Sequence, residues 1–309
     1  MNKIKKKDNW LVTFRKNWQL LMLCIPALII YILFNYIPMI GAVMAFKDYR
    51  YNLGIFGSEW CGLANFEYLF RSTVLWRVVR NTVLYSLAFL VVGMILEMTV
   101  ALLLYEINNR KCLKFYQTCM QFPRFMSWII VGYITYAILN PASGVLNQVL
   151  SQMGMDNIDV YREPSAWPMI LTVVNAWKAL GVGCIMYYAA LMGIDSSLYE
   201  AAAIDGANRW QQTLHISLPG LVSLATIKGI LAIGDIFNGN LDLFYQIPRN
   251  VGILYPTTDV IPTYVFRALQ GANYSAGSAV GLAQGVVGLI MITIANGVVR
   301  KIAPENAMF

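Results

Sequence analysis

The chain has 309 residues, of which 58% are hydrophobic and only 13% charged, with a mean hydropathy of +0.56, whereas ordinary soluble domains are about a quarter charged. A surface of this composition cannot be wetted, which excludes an ordinary soluble domain. The formal charge of +7 is not a nucleic-acid footprint either, because the basic residues sit in short segments between apolar runs rather than along one face.

A helix needs roughly 20 apolar residues to cross about 30 Å of hydrocarbon. Six stretches meet that need, at about 19–46, 82–105, 117–139, 167–192, 216–240 and 277–299. Ahead of the first lies a basic tail, residues 1–18, with Lys3, Lys5, Lys6 and Lys7. The apolar run from Gln19 to Phe46 is too long for a cleaved signal segment and reads as a retained span. Pro26 and Pro38 within it are tolerated where neighbouring helices satisfy the freed carbonyls. Before span two, Arg71, Arg77 and Arg80 suit an interfacial helix better than open loop. The last span carries Gly277, Gly281 and Gly285 at four-residue spacing, with Gly288 beyond, a flat face expected to serve helix packing.

An even number of spans puts both termini on one side of the membrane. Twelve Lys and Arg residues lie on that side, in 1–18, 106–116, 193–215 and 300–309, against eight in the longer opposite loops. The positive-inside rule therefore predicts cytoplasmic termini. No repeat of solenoid length and no Pro-rich or Ser-rich linker divides the chain, so 19–309 is expected to be one transmembrane domain. The expected class is all-α integral membrane with six transmembrane helices.

Recognisable catalytic sets are missing from the sequence. The cysteines Cys24, Cys61, Cys112, Cys119 and Cys184 form no C-x-x-C pair and His215 is the only histidine, too few ligands for a Cys/His metal site. There is no G-x-x-x-x-G-K-[ST] phosphate loop, no G-x-S-x-G elbow and no H-E-x-x-H. The chain is not expected to hydrolyse ATP by itself.

The most informative stretch joins spans four and five, from Ser197 through Glu200, Asp205-Gly206 and Trp210 to Pro219. It reads as helix, turn, helix. Ser197 with Glu200 three residues on has the form of a capping box, Ala201 to Ala203 favour helix, and Asp205-Gly206 supplies a left-handed C-terminal turn. Pro219 is expected to mark entry into span five, with Leu218 held away from helical geometry. Periodicity alone leaves open a plain solvated connection.

The order of residues resembles the EAA loop of the binding-protein-dependent permeases of ABC transporters, E-A-A-x-x-D-G-A followed at fixed distance by I-x-L-P. Glu200, Ala201, Ala202, Asp205, Gly206, Ala207, Ile216, Leu218 and Pro219 fall on that pattern, while Thr213 stands where a bulky aromatic is usual. Gly62-Leu-Ala-Asn-Phe66, Arg80-Asn81-Thr82, Gly193-Ile-Asp195 and Asn17-Trp18-Gln19-Leu20 are similar to the carbohydrate-uptake branch, including permeases for polysaccharides and oligosaccharides. The resemblance implies a type I importer (MetI-like) membrane domain, a family core of about 77–300 and a coupling loop over 193–219, with one extra N-terminal helix. It also implies that the helix around Glu200 docks on a separate ATPase. The implied partners are a second homologous permease, an ATPase dimer, an extracellular solute-binding protein and the carbohydrate itself, in a bacterial cell membrane. ATP and Mg would be used by the ATPase, and no cofactor is assigned to this chain.

Charges inside predicted spans cost roughly 2.5 to 3.5 kcal/mol each near the bilayer centre and should face protein or water. They are Glu97, Arg124, Lys178, Lys228 and Asp235. Arg124 and Lys228 are expected to snorkel, and Glu97 and Lys178 to form an ion pair between spans two and four. For a sugar pathway the residues singled out are Asp235, Asn238, Asn240 and Asp242 beside Gly234 and Gly239, with Trp177, Tyr187 and Tyr188 as stacking faces. An alternative gives those polar residues no role beyond ending span five. The rival function is an ion-coupled secondary transporter acting alone, relaying a proton or sodium through Glu97, Lys178 and Asp235.

Overall fold

The computed structural model describes residues 18–302. The basic tail up to Asn17 and residues 303–309 lie outside the described residues.

The first span begins with α1, Trp18–Tyr31, and continues through a π turn, Ile32–Tyr36, into a 3-10 stretch, Ile37–Phe46. The two prolines cause the irregularity: each lacks an N–H and crowds the preceding turn, and the π turn closes just before Pro38, with Ile37 N–H donating to Ile32 O. Apolar side chains stand bare along this span, Leu23 at 77% exposure and Phe34 at 75%. Helical pairing satisfies the backbone internally, so such a face is suited to lipid.

A two-stranded antiparallel ribbon follows, β1 (Lys47–Asp48) with Lys47 opposite Trp60 of β2 (Glu59–Trp60). Next come α2 (Ala64–Arg71) and the 33-residue α3 (Thr73–Tyr105). Arg77 and Arg80 thus belong to the first turns of a helix that starts ahead of the predicted 82, and Arg71 pairs with Glu67 on α2 at 2.7 Å.

Predicted span three, 117–139, is broken. α4 (Arg110–Phe125) and α5 (Trp128–Leu139) meet at 99°. Met126 is extended, and Ser127 caps α5 by accepting from Ile130 N–H at 3.3 Å, so the break is written by a cap, with Pro123 in the turn before it. After α6 (Val145–Gln152), α7 (Trp167–Met192) coincides with predicted span four.

α8 (Ser196–Ile204) precedes α9 (Arg209–Gln212), which runs through a π turn, Thr213–Ser217, into α10 (Leu218–Gly234). Pro219 therefore lies within a continuous helix rather than at its entry, and Leu218 is helical. The π turn removes the conflict, since Leu218 N–H reaches back to Thr213 O and the widened turn admits the proline ring. Span five also stops at Gly234, short of the predicted 240, because Asp235 to Gly239 form a turn with Gly239 at φ +54. The chain finishes with α11 (Leu241–Gln246), α12 (Ile261–Gln270) and α13 (Tyr274–Ile302).

Among the described residues five helical stretches are long and apolar enough to cross a membrane, and six if the bent α4–α5 pair counts as one. α3 and α7 form the central pair, with α4 against α7, and α13 against α10, α12 and the end of the first span. Three cores hold them. One gathers Tyr85, Trp167, Leu171, Phe244 and Val260, and a second Ala101, Cys184, Tyr187, Leu191 and Leu221. The third joins Ala45, Leu69, Val78, Ile261 and Val280. Of the expected glycine face, Gly277 lies against Leu269, but a methyl at Gly281 or Gly285 would meet nothing within 4 Å. α13 meets α12 at its start and α10 near Gly288 and Ile292, opposite Gly234, while Gly281 and Gly285 face open space among the described residues.

Candidate functional site

A chamber of about 610 Å³ opens between α3, α7 and α10 and the turn that follows α10. α3 contributes Tyr85, Phe89, Gly93 and Glu97, four residues apart on one face; α10 and its cap contribute Lys228, Ala232 and Asp235. Asn175 of α7 and Asn240, Asp242 and Phe244 around α11 complete the lining. Tyr85, Phe89 and Phe244 form an aromatic cluster, with Tyr85 edge-on to Phe244 at 4.7 Å between centroids. The Tyr85 hydroxyl is buried and has no hydrogen-bond partner among the described residues.

At one wall Glu97 pairs with Lys228, tying α3 to α10. The carboxylate presses into a notch on α7, where a methyl at Gly183 would overlap it. The ammonium also lies over the Tyr187 ring, 5.5 Å from its centroid. Both the Glu97–Lys178 pair and the snorkelling Lys228 are thus corrected. Lys178 is occupied elsewhere: its Nζ donates to the carbonyls of Pro123 (3.1 Å), Arg124 (3.2 Å) and Met126. Those are the orphan carbonyls of the α4 C-terminus, where a cation is favoured by the helix dipole. Spacing along separate spans does not reveal such a bend, so the lysine's partner was invisible in the sequence.

The second feature is the loop helix α8. Its N-cap is Asp195, whose Oδ1 accepts Ser197 N–H at 3.0 Å, so the expected Ser197–Glu200 capping box is not formed. That backbone hydrogen bond, with the Ser197 hydroxyl, holds the Asp195 carboxyl below its usual pKa. Asp195 precedes the helix by one residue and claims the donor that the box would use. The left-handed turn does form: Gly206 has φ +78, Gly206 N–H reaches Ala203 O at 3.1 Å and Ala207 N–H reaches Ala202 O at 2.9 Å, a complete Schellman motif. Asn208 and Gln211 then make a reciprocal capping box that the sequence reading overlooked, although its N-x-x-Q pattern was there to see. Thr213, in the aromatic's usual place, bonds back to Arg209 O at 3.0 Å.

Glu200, Ala201 and Asp205 are exposed, as are Ile204 (86%) and Trp210 (74%). Two contacts anchor α8: Tyr199 shares a 2.9 Å hydrogen bond with Ser217 of the π turn, and its ring packs beside Tyr105 at the end of α3. The helix is thereby mounted on the two spans that Glu97 and Lys228 join.

Among the pathway residues singled out from sequence, Asp235, Asn240 and Asp242 line the chamber. Asn238 turns away to Gln284 (3.1 Å), while also donating to Asp235 at 2.6 Å. Tyr187 and Tyr188 pack in the inner core, and Trp177 points outward at 42% exposure. The aromatic faces that line the chamber are Tyr85, Phe89 and Phe244; the i, i+4 stripe from Tyr85 to Glu97 was the signal for the first two, and Phe244 on α11 had none. Glu97, Lys178 and Asp235 each bind a different partner, so the proposed relay is not assembled.

A bundle of apolar helices around a polar chamber, with an exposed helix mounted on two chamber-lining spans, defines a multi-pass membrane protein of the transport class. More narrowly, the chain belongs to the family of binding-protein-dependent transport system inner membrane components, whose model matches residues 82–306. It is 32% identical over 305 residues to the polygalacturonan/rhamnogalacturonan transport system permease protein YteP of Bacillus subtilis, covering 98% of this chain and 94% of that one. A solved bacterial ABC transporter involved in import of the acidic polysaccharide alginate superposes with a TM-score of 0.86 at 32% identity, over 95% of this chain and 99% of the other. The alginate transporter in complex with a pentasaccharide-bound periplasmic protein gives 0.84 at 33% identity, covering 94% and 96%. The type I importer fold with an added N-terminal span is thus the fold of this chain.

Proposed function

We propose that this chain is one permease subunit of an ATP-driven importer that carries an oligosaccharide or polysaccharide fragment into a bacterial cell. One observation carries the reading: α8 bears the EAA pattern, lies exposed, and is anchored through Tyr199 to α3 and α10, which together line the chamber. A motor docking on Glu200, Ala201, Ala202, Asp205 and Gly206 would move those spans as a pair. Pro219 would transmit that motion at the start of α10. The relatives named for polygalacturonan and alginate support a carbohydrate cargo.

In this reading the chain catalyses nothing; ATP and Mg are handled by an ATPase dimer, a second permease completes the pathway and an external binding protein delivers the sugar. Both termini and α8 face the cytoplasm. The chamber offers aromatic faces for sugar C–H surfaces, and amides and carboxylates for hydroxyls. Deleting residues 197–207 should leave a chain that inserts and keeps its partner permease but loses the co-purifying ATPase and all ATP-dependent uptake. Uptake that survives the deletion, or that a protonophore abolishes while ATPase loss does not, would reject the reading.

A further inference from the structure

We infer that the chamber is built for uncharged oligosaccharides and selects against uronate chains, an inference that rests on the carbohydrate reading above. Glu97, Asp235 and Asp242 line the chamber, against the single cation Lys228. Lys228 is already committed to Glu97 and to the Tyr187 ring, so it offers no free charge to a ligand carboxylate. Asp235 and Asp242 have no ion-pair partner among the described residues.

Among the described residues no other lysine or arginine lines the chamber. Lys178 caps α4, Arg249 lies over Tyr136 at 4.1 Å, and Arg267 is bound to Asp259 at 2.6 Å. What remains suits hydroxyl groups: Asn175, the amide of Asn240 and two carboxylates that accept but cannot donate. Phe89 and Phe244 supply faces for uncharged ring surface. A uronate chain would bring further carboxylates toward Asp235 and Asp242 away from bulk water, and like charges so placed reject the wrong partner. The cargo therefore differs in charge class from the acidic polysaccharide named for the structural relative.

The test uses the whole complex, purified from native membrane with its partners and reconstituted in liposomes. Size-matched xylo- and manno-oligosaccharides are compared with oligogalacturonides for stimulation of ATPase activity. Neutral chains should stimulate at least about tenfold better at equal concentration. The Asp235→Asn, Asp242→Asn double variant should narrow that ratio with the binding protein unchanged, which assigns the discrimination to the chamber. Uronates that match neutral chains, amino-sugar oligomers that surpass them, or a ratio unmoved in the double variant would overturn the inference. Failure of every glycan to stimulate would instead sink the carbohydrate reading itself.

Discussion

Lys228 and Lys178 lie on adjacent helices and solve the same problem, a cation in a membrane protein, with different partners. Lys228 neutralises a nearly buried carboxylate, whereas Lys178 gathers three carbonyls at a helix end. Removing one member of a buried pair costs more than removing both, because the survivor keeps its charge without compensation. Lys228→Met should therefore lower stability by about 3 kcal/mol, and adding Glu97→Gln should recover most of it, read as thermal unfolding in nanodiscs. An additive double variant would show that the two groups do not interact. Lys178→Met leaves the carbonyls of Pro123, Arg124 and Met126 without their donor. A loss of about 2 kcal/mol is expected, with protease sensitivity appearing at the α4–α5 corner. Glu97 and Lys178 were each legible as residues needing a partner, but which partner each takes is set by helix rotation and by the bend at Met126–Ser127, and no spacing rule along one helix encodes those.

At the scale of the element, α8 was the most legible feature, because its ends are defined by short-range hydrogen bonds. The Gly206 turn follows from local chemistry alone, and the N-cap moved only two residues, from Ser197 to Asp195. Asp195 has a testable pH signature. Its folded carboxyl is depressed by the Ser197 N–H, so its contribution is complete above the ordinary value of 3.8 and is lost as pH falls through the lower folded value. A spin label at Leu198→Cys should keep constant mobility from about pH 8 to about pH 5 and loosen only below about pH 4. Loosening at higher pH would mean that another group holds the cap. The π turns before Pro38 and Pro219 were less legible, since a proline can open a helix, kink it or be absorbed, and the sequence around Pro219 favoured the first.

For the whole molecule, the bent α4–α5 pair decides how much of the chain crosses the bilayer. Its first arm carries Arg110, Lys111 and Lys114 near its start, with exposed Cys112 and Cys119. If α8 and both termini are cytoplasmic, that arm begins on the same side. A membrane-impermeant maleimide should then label Cys112 in inside-out vesicles and not in intact cells. Labelling in intact cells would invert the topology. The exposed apolar faces of the first span and α13, Phe34 and Leu289 among them, fit lipid or a second permease and have no place in water.

The sequence by itself determined the membrane class, the positions of spans one, four and six to within a few residues of their observed ends, and the helix after span four with its left-handed turn. Each depends on hydrophobic length or on contacts a few residues apart, which a linear pattern carries. Only the tertiary structure decided that span three is broken, that Glu97 pairs with Lys228, and that the chamber is faced by Tyr85, Phe89 and Phe244 rather than Trp177 and Tyr187. Those outcomes turn on the rotation of each helix about its own axis against its neighbours. In a chain apolar on nearly every face, periodicity does not distinguish the side that meets protein from the side that meets lipid.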